Sequence, residues 1–418
     1  MRIGLIITVS FILISCSDRE RANPFDPENP DTKGAPTGVS VISNYDTVTV
    51  RWNAIDVDDF SYYQIYRSIS KDTMDGYDST ETNIFIDTGI NFDSCYCYSL
   101  QANTKHDKGT ISDSVCIVPG PVNFWIADFY DFSLWRISYD GAHILGSAYF
   151  TSPIAVESDP QRNQFWVADY WGERLYAVDK NLTVSSTTIN LDAPPADMAV
   201  NSTDGEIYVL LRQENLLKTY FTSGLEKESI SLPFDVSFYT SVAYDSIGEN
   251  IWISNEETDT IFQYPLIQPD SAFTSYSGFE NPGKIYADPI TGGCWSVSDY
   301  GIIRIHSADS TDTYKSDYCI KDISINPING DCYYTGYEKG TGNWETGRLV
   351  SSQNFYHEEV VLGNDYPNLN RIQVVPGDGN QGFIVVQLYT WRILRFDTGG
   401  SLIGELGPFN GRLDFALE

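Results

Sequence analysis

Short apolar runs separated by turns recur through most of this chain, and residues 154–178 show the unit at its clearest. The unit reads Ile154-Ala155-Val156, a turn at Asp159, Trp166-Val167-Ala168-Asp169, and then Leu175-Tyr176-Ala177-Val178. Short runs rich in β-branched and aromatic residues between turn residues predict β-strands. Each unit therefore predicts a strand before a turn, a second strand after it and a third strand soon afterwards.

This unit repeats at an interval of about 43 residues. An Asp or Asn turn is followed seven residues later by an aromatic anchor at Trp166, Tyr208, Trp252, Trp295 and Tyr333. Trp125 and Ile384 extend the series to seven anchors, which lie 41, 42, 44, 43, 38 and 51 residues apart. Four-stranded propeller blades repeat at this interval. The count predicts an all-β, seven-bladed β-propeller over residues 122–418, with six or eight blades as alternatives because the last two repeats are irregular.

The first anchor has no strand before it, and the C-terminus supplies a candidate. Residues 413–418 match the strand Ile154-Ala155-Val156-Glu157 in pattern. We expect this C-terminal strand to complete the first blade, because ring closure removes two exposed sheet edges.

Two motifs carry a resemblance to known propellers. Trp125-Ile126-Ala127-Asp128 and Trp166-Val167-Ala168-Asp169 are similar to the repeats of NHL and YVTN-type propellers, and more loosely to virginiamycin-lyase-like propellers. The resemblance implies the fold and not an activity. A close resemblance to the lyases would imply a catalytic His between the second and third strands, and none of the four His residues lies there.

The N-terminus has the pattern of an export signal. Met1-Arg2 precedes an apolar run over 3–14 that is too short to span a bilayer, and Leu13-Ile14-Ser15-Cys16 ends it. This ending resembles the bacterial lipobox, which implies that residues 1–15 are removed and that Cys16 is lipidated. The alternative is an ordinary cleaved signal with an incidental Cys.

Two further segments precede the repeats. Residues 16–35 are rich in Pro and charge, which predicts a disordered tether. Residues 36–119 contain short alternating strands at Val48–Trp52, Tyr63–Arg67 and Tyr96–Leu100. This segment resembles a fibronectin type III domain, and the resemblance implies a β-sandwich that acts as a spacer or binding module.

Charge and composition exclude several functions. The chain has 26 Lys and Arg against 57 Asp and Glu, a formal net charge of −31, and its basic residues are scattered. This excludes a nucleic-acid binder, which must neutralise phosphates. Four His and seven Cys offer little for a metal cage, and no nucleophile elbow or phosphate loop occurs. We therefore expect no cofactor and no metal, and a binding protein rather than an enzyme.

The cysteines predict two disulfides in an oxidising compartment. Cys116 lies on the strand after Cys95 and Cys97, so one of these two is its partner, with Cys97–Cys116 the preferred pair. Cys319 and Cys332 flank a predicted hairpin and are a candidate cross-strand pair. Cys294 occupies the place of Cys332 one repeat earlier and is a competing partner.

The candidate ligand-binding residues follow the second strands, whose loops share the face of the channel entrance. Aromatic rings beside carboxylates and amides can stack on a sugar or hold a peptide side chain. The alternative interpretation is that the acids cap turns and the aromatics fill gaps between blades. The candidates are Asp128, Tyr130, Asp169, Tyr170, Trp171, Asn255, Asp299, Tyr300, Tyr389 and Trp391.

These features together predict a lipoprotein anchored to the cell envelope, at the outer membrane rather than the inner. Its propeller is expected to bind a polysaccharide or an envelope protein. An enzyme of the lyase or lactonase type is the alternative, and clustering of Asp128, Asp169, Glu256 and Asp299 around a metal would favour it. A structural spacer without a pocket is the third hypothesis.

Overall fold

The computed structural model describes residues 23–44, 47–69, 73–92, 94–267, 272–306, 310–351, 355, 358–376, 382–387, 390–409 and 412–418. Cys16 and Tyr389 lie outside these ranges. Within them the regular structure is β-strand apart from a 3-10 turn at Pro160–Arg162, and no helix there is long and apolar enough to cross a membrane. The chain divides into two compact units, the first drawn from residues before 118 and the second containing 118–418.

The N-terminal strands form two antiparallel sheets. One has the order β1 (Ser40–Asn44), β2 (Thr47–Arg51), β5 (Ile84–Asp87); the other has β4 (Asp75–Thr80), β3 (Phe60–Ile69), β6 (Tyr96–Thr104), β7 (Lys108–Ile111), with β8 (Val115–Ile117) also paired to β6. Asp87 connects them, because it accepts hydrogen bonds from Arg67 at 2.7 Å and from the Tyr98 hydroxyl at 2.8 Å.

The disulfide of this unit joins β6 and β8. Cys97 and Cys116 are direct partners in the strand register, and their Cα atoms are 4.0 Å apart. The preferred pair of the sequence analysis is therefore the one that forms. Register decides between Cys95 and Cys97, because Cys95 precedes the start of β6.

Residues 23–35 differ from the disordered tether expected for them. Asn29 organises successive turns here: its side-chain oxygen accepts the N–H of Asp31 at 2.9 Å, and its amide donates to the carbonyl of Asn23 at 3.0 Å. The carbonyl of Gly34 accepts the N–H of Thr110 at 2.7 Å. Hydrogen-bonded turns, and not an extended chain, therefore connect the Pro residues of this segment.

Among the described residues, those from 118 onward form seven four-stranded antiparallel sheets. In chain order the first contains β36 (Leu413–Leu417), β9 (Phe124–Asp128), β10 (Ser133–Ile137) and β11 (Ile144–Tyr149). The second sheet contains β12 (Pro153–Asp159), β13 (Gln164–Asp169), β14 (Arg174–Asp179) and β15 (Val184–Asn190). The third contains β16 (Pro195–Asn201), β17 (Glu206–Leu211), β18 (Leu216–Phe221) and β19 (Glu226–Ser231). The fourth contains β20 (Ser241–Asp245), β21 (Asn250–Asn255), β22 (Thr260–Pro265) and β23 (Thr274–Ser277). The fifth sheet contains β24 (Ile285–Ala287), β25 (Gly293–Ser298), β26 (Gly301–His306) and β27 (Thr311–Tyr314). The sixth contains β28 (Tyr318–Ile325), β29 (Cys332–Glu338), β30 (Trp344–Leu349) and β31 (Glu358–Leu362). The seventh contains β32 (Leu369–Val374), β33 (Phe383–Gln387), β34 (Arg392–Phe396) and β35 (Leu402–Leu406).

The anchors lie on the second strand of each sheet and hold neighbouring sheets together. Trp125, Trp166, Trp252 and Trp295 are fully buried. The Trp125 ring stacks on Phe165 of the following sheet with 4.1 Å between the ring centroids. Because these strands are covered on both faces, they are apolar along most of their length, which explains why the repeat is visible in the sequence.

The C-terminal strand β36 occupies the first position of the first sheet. Its register pairs Phe415 with Ile126 and Ala416 with Trp125. This is the position that the match to residues 154–157 predicts. The first and last sheets also share an apolar core, in which Phe124 and Ile137 pack with Ile384 and Ile393.

Candidate functional site

The polar candidates at the ends of the second strands cap turns. Asp169 accepts the backbone N–H groups of Thr151 and Ser152, both at 2.7 Å, and that of Gly172 at 3.1 Å. Asn255 accepts the N–H of Thr258 at 2.9 Å. Asp128 accepts the N–H groups of Tyr130 and Asp131 in the turn that follows it. All three side chains are buried, so the structural interpretation applies to them.

The aromatic candidates divide into buried and exposed members. Tyr170 is buried, and its ring packs against Phe129 and Phe238 with centroids 5.9 and 5.4 Å away. Tyr130 and Trp171 are 57% and 65% exposed. Only the exposed rings present area to a ligand, so Tyr170 supports the face rather than forming it.

Asp299 and Tyr300 form a separate group. The Asp299 carboxylate accepts a hydrogen bond from the Asn281 amide at 2.6 Å, and the Tyr300 ring lies 4.7 Å from the Lys339 ammonium. Neither residue lines the cavities described below. Asp299 and Tyr300 do follow the second strand of their sheet, as predicted, but they do not line the cavity that Tyr130 and Trp391 line.

A cavity of about 420 Å³, here called the mouth cavity, lies beside two of the predicted residues. Its lining is Tyr130, Phe238, Tyr239, Asn370, Arg371, Val386, Trp391, Arg412 and Leu413. Tyr130 and Trp391 were expected here. Phe238, Tyr239, Asn370, Arg371 and Arg412 were missed, because they belong to inner strands and to the loops that precede them.

Arg412 is the most unusual charge of the mouth cavity. Its guanidinium lies 3.9 Å from the Phe238 ring centroid, and Nη2 donates to the Phe238 carbonyl at 3.2 Å. Its Nη1 is buried without a hydrogen-bond partner among the described residues. Burial, together with the positive charge of Arg371, lowers the pKa of Arg412 to about 10, so it remains protonated at neutral pH.

Two further cavities continue inward and share lining residues with the mouth cavity. The middle one, about 300 Å³, shares Tyr239, Asn370, Arg371 and Arg412 with it. The innermost one is about 330 Å³ and is lined by the first strand of every sheet of the second unit. These strands contribute Glu157, Ala199, Val242, Asp322, Arg371 and Asp414, and Lys284 lies directly before strand β24. The seven sheets therefore surround a polar central channel.

Charged residues occupy equivalent positions around this channel. Five of the seven positions two residues before the partner of each anchor are charged: Asp197, Lys284, Asp322, Arg371 and Asp414. The remaining two positions hold Ser241 and Ala155. The Lys284 ammonium lies 3.0 Å from Asp414 and 3.6 Å from Asp197. Arg371 lies 3.8 Å from Asp322.

The channel acids also join each sheet to the next. Asp197 accepts the N–H of Val242 at 3.1 Å, and Asp414 accepts the N–H of Val156 at 3.0 Å. Asp322 accepts the N–H of Ile372 at 3.1 Å. Each acid therefore neutralises a cation and satisfies a backbone donor of the neighbouring inner strand, which fixes both the charge balance and the spacing of the channel wall.

Glu157 lies on the same wall, deep in the molecule but partly exposed to the innermost cavity. Burial raises the pKa of Glu157 to about 8; the Lys284 charge opposes this rise, while Asp414 and Asp197 add to it. The Glu157 carboxyl therefore titrates slightly above neutral pH.

A signal for the channel residues does exist in the sequence. Asp197, Lys284 and Asp322 each stand eleven residues before an aromatic anchor, directly before an apolar residue that begins an inner strand. A charged residue at a fixed position of an otherwise apolar strand is unusual and indicates a shared role. The position eleven residues before the anchor lies outside the strands that follow the turns, so a prediction based on those strands does not reach it.

The acids named for a metal-dependent enzyme do not converge. Among the described residues, the one group of His, Cys, Asp and Glu side chains close enough to share a metal is Cys95, Cys97 and Cys116, and the last two form the disulfide. Asp128, Asp169, Glu256 and Asp299 form no such group. The condition that would have favoured the enzyme hypothesis is therefore not met in the described part of the chain.

The predicted Cys319–Cys332 disulfide is wrong. Both residues are free cysteines, and the register of their hairpin pairs Cys332 with Ile325 and Cys319 with Tyr337. They lie at opposite ends of the hairpin, so no disulfide can join them. Cys294, the competing partner, is also a free buried cysteine, and burial raises the pKa of its thiol.

Four-stranded antiparallel sheets around a polar channel, with an aromatic cavity at one mouth, define the protein as a β-propeller. The sequence matches no protein-family model, and no curated protein matches it. Solved structures of low sequence identity match the fold.

A functionally unknown protein from Desulfotomaculum acetoxidans DSM 771 has a TM-score of 0.56 at 13% identity, over 71% of this chain and 98% of that one. A protein from Bacteroides uniformis ATCC 8492, provisionally described as a 6-phosphogluconolactonase, has a TM-score of 0.52 at 11% identity, over 71% and 99%. A streptogramin B lyase has a TM-score of 0.50 at 15% identity, over 69% and 89%. At these identities the likeness establishes the propeller fold alone.

Proposed function

We propose that this protein is a lipid-anchored envelope protein whose seven-bladed propeller binds a saccharide chain at the mouth of its channel. The observation that carries the proposal is the mouth cavity, in which Tyr130, Tyr239 and Trp391 stand around Asn370 and Arg412. Tyr130 and Tyr239 are 57% and 61% exposed.

Rings and polar groups in this arrangement suit a sugar. An aromatic ring offers a large contact area at little cost in conformational entropy, while amide and guanidinium groups fix the orientation of hydroxyl and acidic substituents. A cavity of about 420 Å³ has room for one or two sugar residues. A peptide-binding site would instead offer an unpaired sheet edge or an apolar groove.

The location of the protein is part of the proposal and is supported by sequence pattern. Cys16 is the proposed lipidation site, at the outer membrane, and residues 36–119 are the proposed fibronectin type III-like spacer. Metabolic labelling with a fatty acid, comparing the wild-type chain with Cys16→Ser, tests the anchor. Label that persists in Cys16→Ser contradicts it.

Binding is tested with the full chain and a panel of glycans and envelope extracts. Trp391→Ala removes a ring that lines the mouth cavity, whereas Trp171→Ala removes a more exposed ring outside it and serves as the matched control. We expect glycan binding to weaken about tenfold or more in Trp391→Ala and to stay unchanged in the control. Equal effects would place the site elsewhere, and capture of an envelope protein with no glycan binding would contradict the saccharide proposal.

A further inference from the structure

Arg412 differs from the two other cations of the channel. Lys284 lies within 3.6 Å of two carboxylates, and Arg371 lies 3.8 Å from Asp322. Arg412 makes one hydrogen bond, to a neutral carbonyl, and stacks on an aromatic ring. No carboxylate among the described residues pairs with it. The inner cations are thus paired with carboxylates, whereas the Arg412 guanidinium at the mouth cavity has no directly paired carboxylate among the described residues and feels Asp414 and Asp197 only from further away.

A second unpaired atom lies on the same cavity wall. The side-chain oxygen of Asn370 is buried and has no hydrogen-bond partner among the described residues, as is also true of Arg412 Nη1. One atom is a donor on a cation and the other is a neutral acceptor. Buried polar atoms are nearly always paired in folded proteins, and this donor and this acceptor belong to residues that line one cavity, so together they fit a ligand that carries both an acceptor and a donor.

We propose that Arg412 and Asn370 bind a sugar residue that carries an oxyanion, a carboxylate or a sulfate; this inference rests on the saccharide-binding function proposed above. The oxyanion accepts hydrogen bonds from the Arg412 guanidinium, whose planar donors match two oxygens of one group. A hydroxyl of the same sugar donates to the Asn370 oxygen. Tyr130, Tyr239 and Trp391 contact the sugar ring and its neighbour.

The charge of the whole protein makes this inference testable. At a formal net charge of −31, the protein repels polyanions at long range. Binding of an acidic glycan in preference to a neutral one therefore requires a local cation rather than general attraction. Added salt screens the long-range repulsion over about 10 Å and disturbs the buried contact less.

The experiment measures binding of four oligosaccharides to the full chain: a polygalacturonate, the same chain with its carboxylates reduced to alcohols, a dextran and a sulfated dextran. We expect at least one acidic chain to bind about tenfold or more tightly than its neutral counterpart. Arg412→Gln should remove this difference, because it should weaken binding of the acidic chain far more than binding of its neutral counterpart. Arg212→Gln is the matched control, because its guanidinium also lies over Phe238, at 5.5 Å, but does not line the mouth cavity.

The outcomes separate the two proposals. Equal binding of acidic and neutral chains, or an unchanged preference in Arg412→Gln, overturns the oxyanion inference and leaves saccharide binding intact. Binding of none of the four chains, nor of the glycan panel, overturns the proposed function itself. If Arg412→Gln fails to fold, the carboxyl-reduced chain still decides the question with wild-type protein, and Asn370→Asp supplies a second variant that should weaken the acidic chain more than the neutral one. The two acidic chains distinguish carboxylate from sulfate.

Discussion

Buried acids occur in two regions of the propeller, and they are bonded in opposite ways. Asp169, at the end of a second strand, accepts hydrogen bonds from three backbone N–H groups of loops at one end of its own sheet. Asp197, on an inner strand, accepts Ser241 and Val242 of the next sheet and lies 3.6 Å from Lys284 of the sheet after that. Asp169 therefore holds its own sheet in shape, whereas Asp197 holds sheets to one another.

The comparison shows why similar residues can have different roles. An acid saturated by local N–H donors has no remaining capacity for a ligand or for long-range charge balance. An acid that faces a channel shares its charge with groups from several sheets. The function proposed above would therefore depend on the charges near the channel, whereas the acids at the ends of the second strands stabilise the surrounding turns.

The largest expected effect is in the channel. Lys284→Met removes the cation between Asp197 and Asp414, and leaving two buried carboxylates without it should lower the free energy of unfolding by about 3–5 kcal/mol. Denaturant unfolding measures this. Lys227→Ala breaks the ion pair of a Lys that is 42% exposed and should cost about 1 kcal/mol at most. Similar losses in the two variants would show that the channel charges are not interdependent.

The next effect depends on pH and involves Glu157. Its pKa in the folded protein, about 8, is above its ordinary value of 4.5, so the folded state retains a proton that the unfolded state releases between these pH values. Stability should therefore fall as the pH rises from about 4.5 to 8 and then level off.

Glu157→Gln should lack this fall. Because the carboxyl keeps some contact with cavity water, we expect the variant to exceed the wild type by on the order of 2–3 kcal/mol at pH 8.5 and to match it near pH 4.5. Thermal unfolding across this range provides the measurement. A difference between the two proteins that does not change with pH would contradict the assignment.

A smaller effect is expected at the turns. Asp169→Ala leaves three backbone N–H groups without their acceptor and should cost about 2 kcal/mol. Asp299→Ala loses one bond to an exposed Asn281 side chain and should change stability by about 0.5 kcal/mol or less. Denaturant unfolding of the pair tests whether position in the repeat or local bonding sets the cost. Equal losses would favour position.

The smallest effect is expected for Tyr300. Its ring is 54% exposed but lies outside the mouth cavity, so Tyr300→Ala should leave glycan binding unchanged. A tenfold loss of binding in this variant would extend the binding face beyond the mouth cavity.

The fold could be predicted because its signals are local. Anchors such as Trp166 and Trp252 recur at near-constant spacing, and the strands they begin are apolar because both faces are covered. The position of β36 was predicted from its match to an inner strand. Register was harder: a bulge between Ile320 and Asp322, and a hairpin longer than expected, separate Cys319 from Cys332.

The candidate site was predicted in part. Tyr130 and Trp391 follow second strands and were found by that rule. Arg412 and Asn370 come from β36 and β32 or the residues beside them, and their proximity depends on closure of the whole ring. Nothing in their local sequence indicates that they meet, because the contact joins strands from different sheets.

Closure of the first sheet by β36 has a consequence for how the protein becomes competent. Strand β9 pairs with β36, which lies nearly 300 residues further along the chain, and pairing between such distant segments forms late in folding. Until then β9 has an open edge that can recruit foreign strands. Arg412 and Asp414 belong to the closing segment, so the mouth cavity and the last charge of the channel are completed by the same event. The proposed binding site can therefore form only in a molecule whose first sheet has closed.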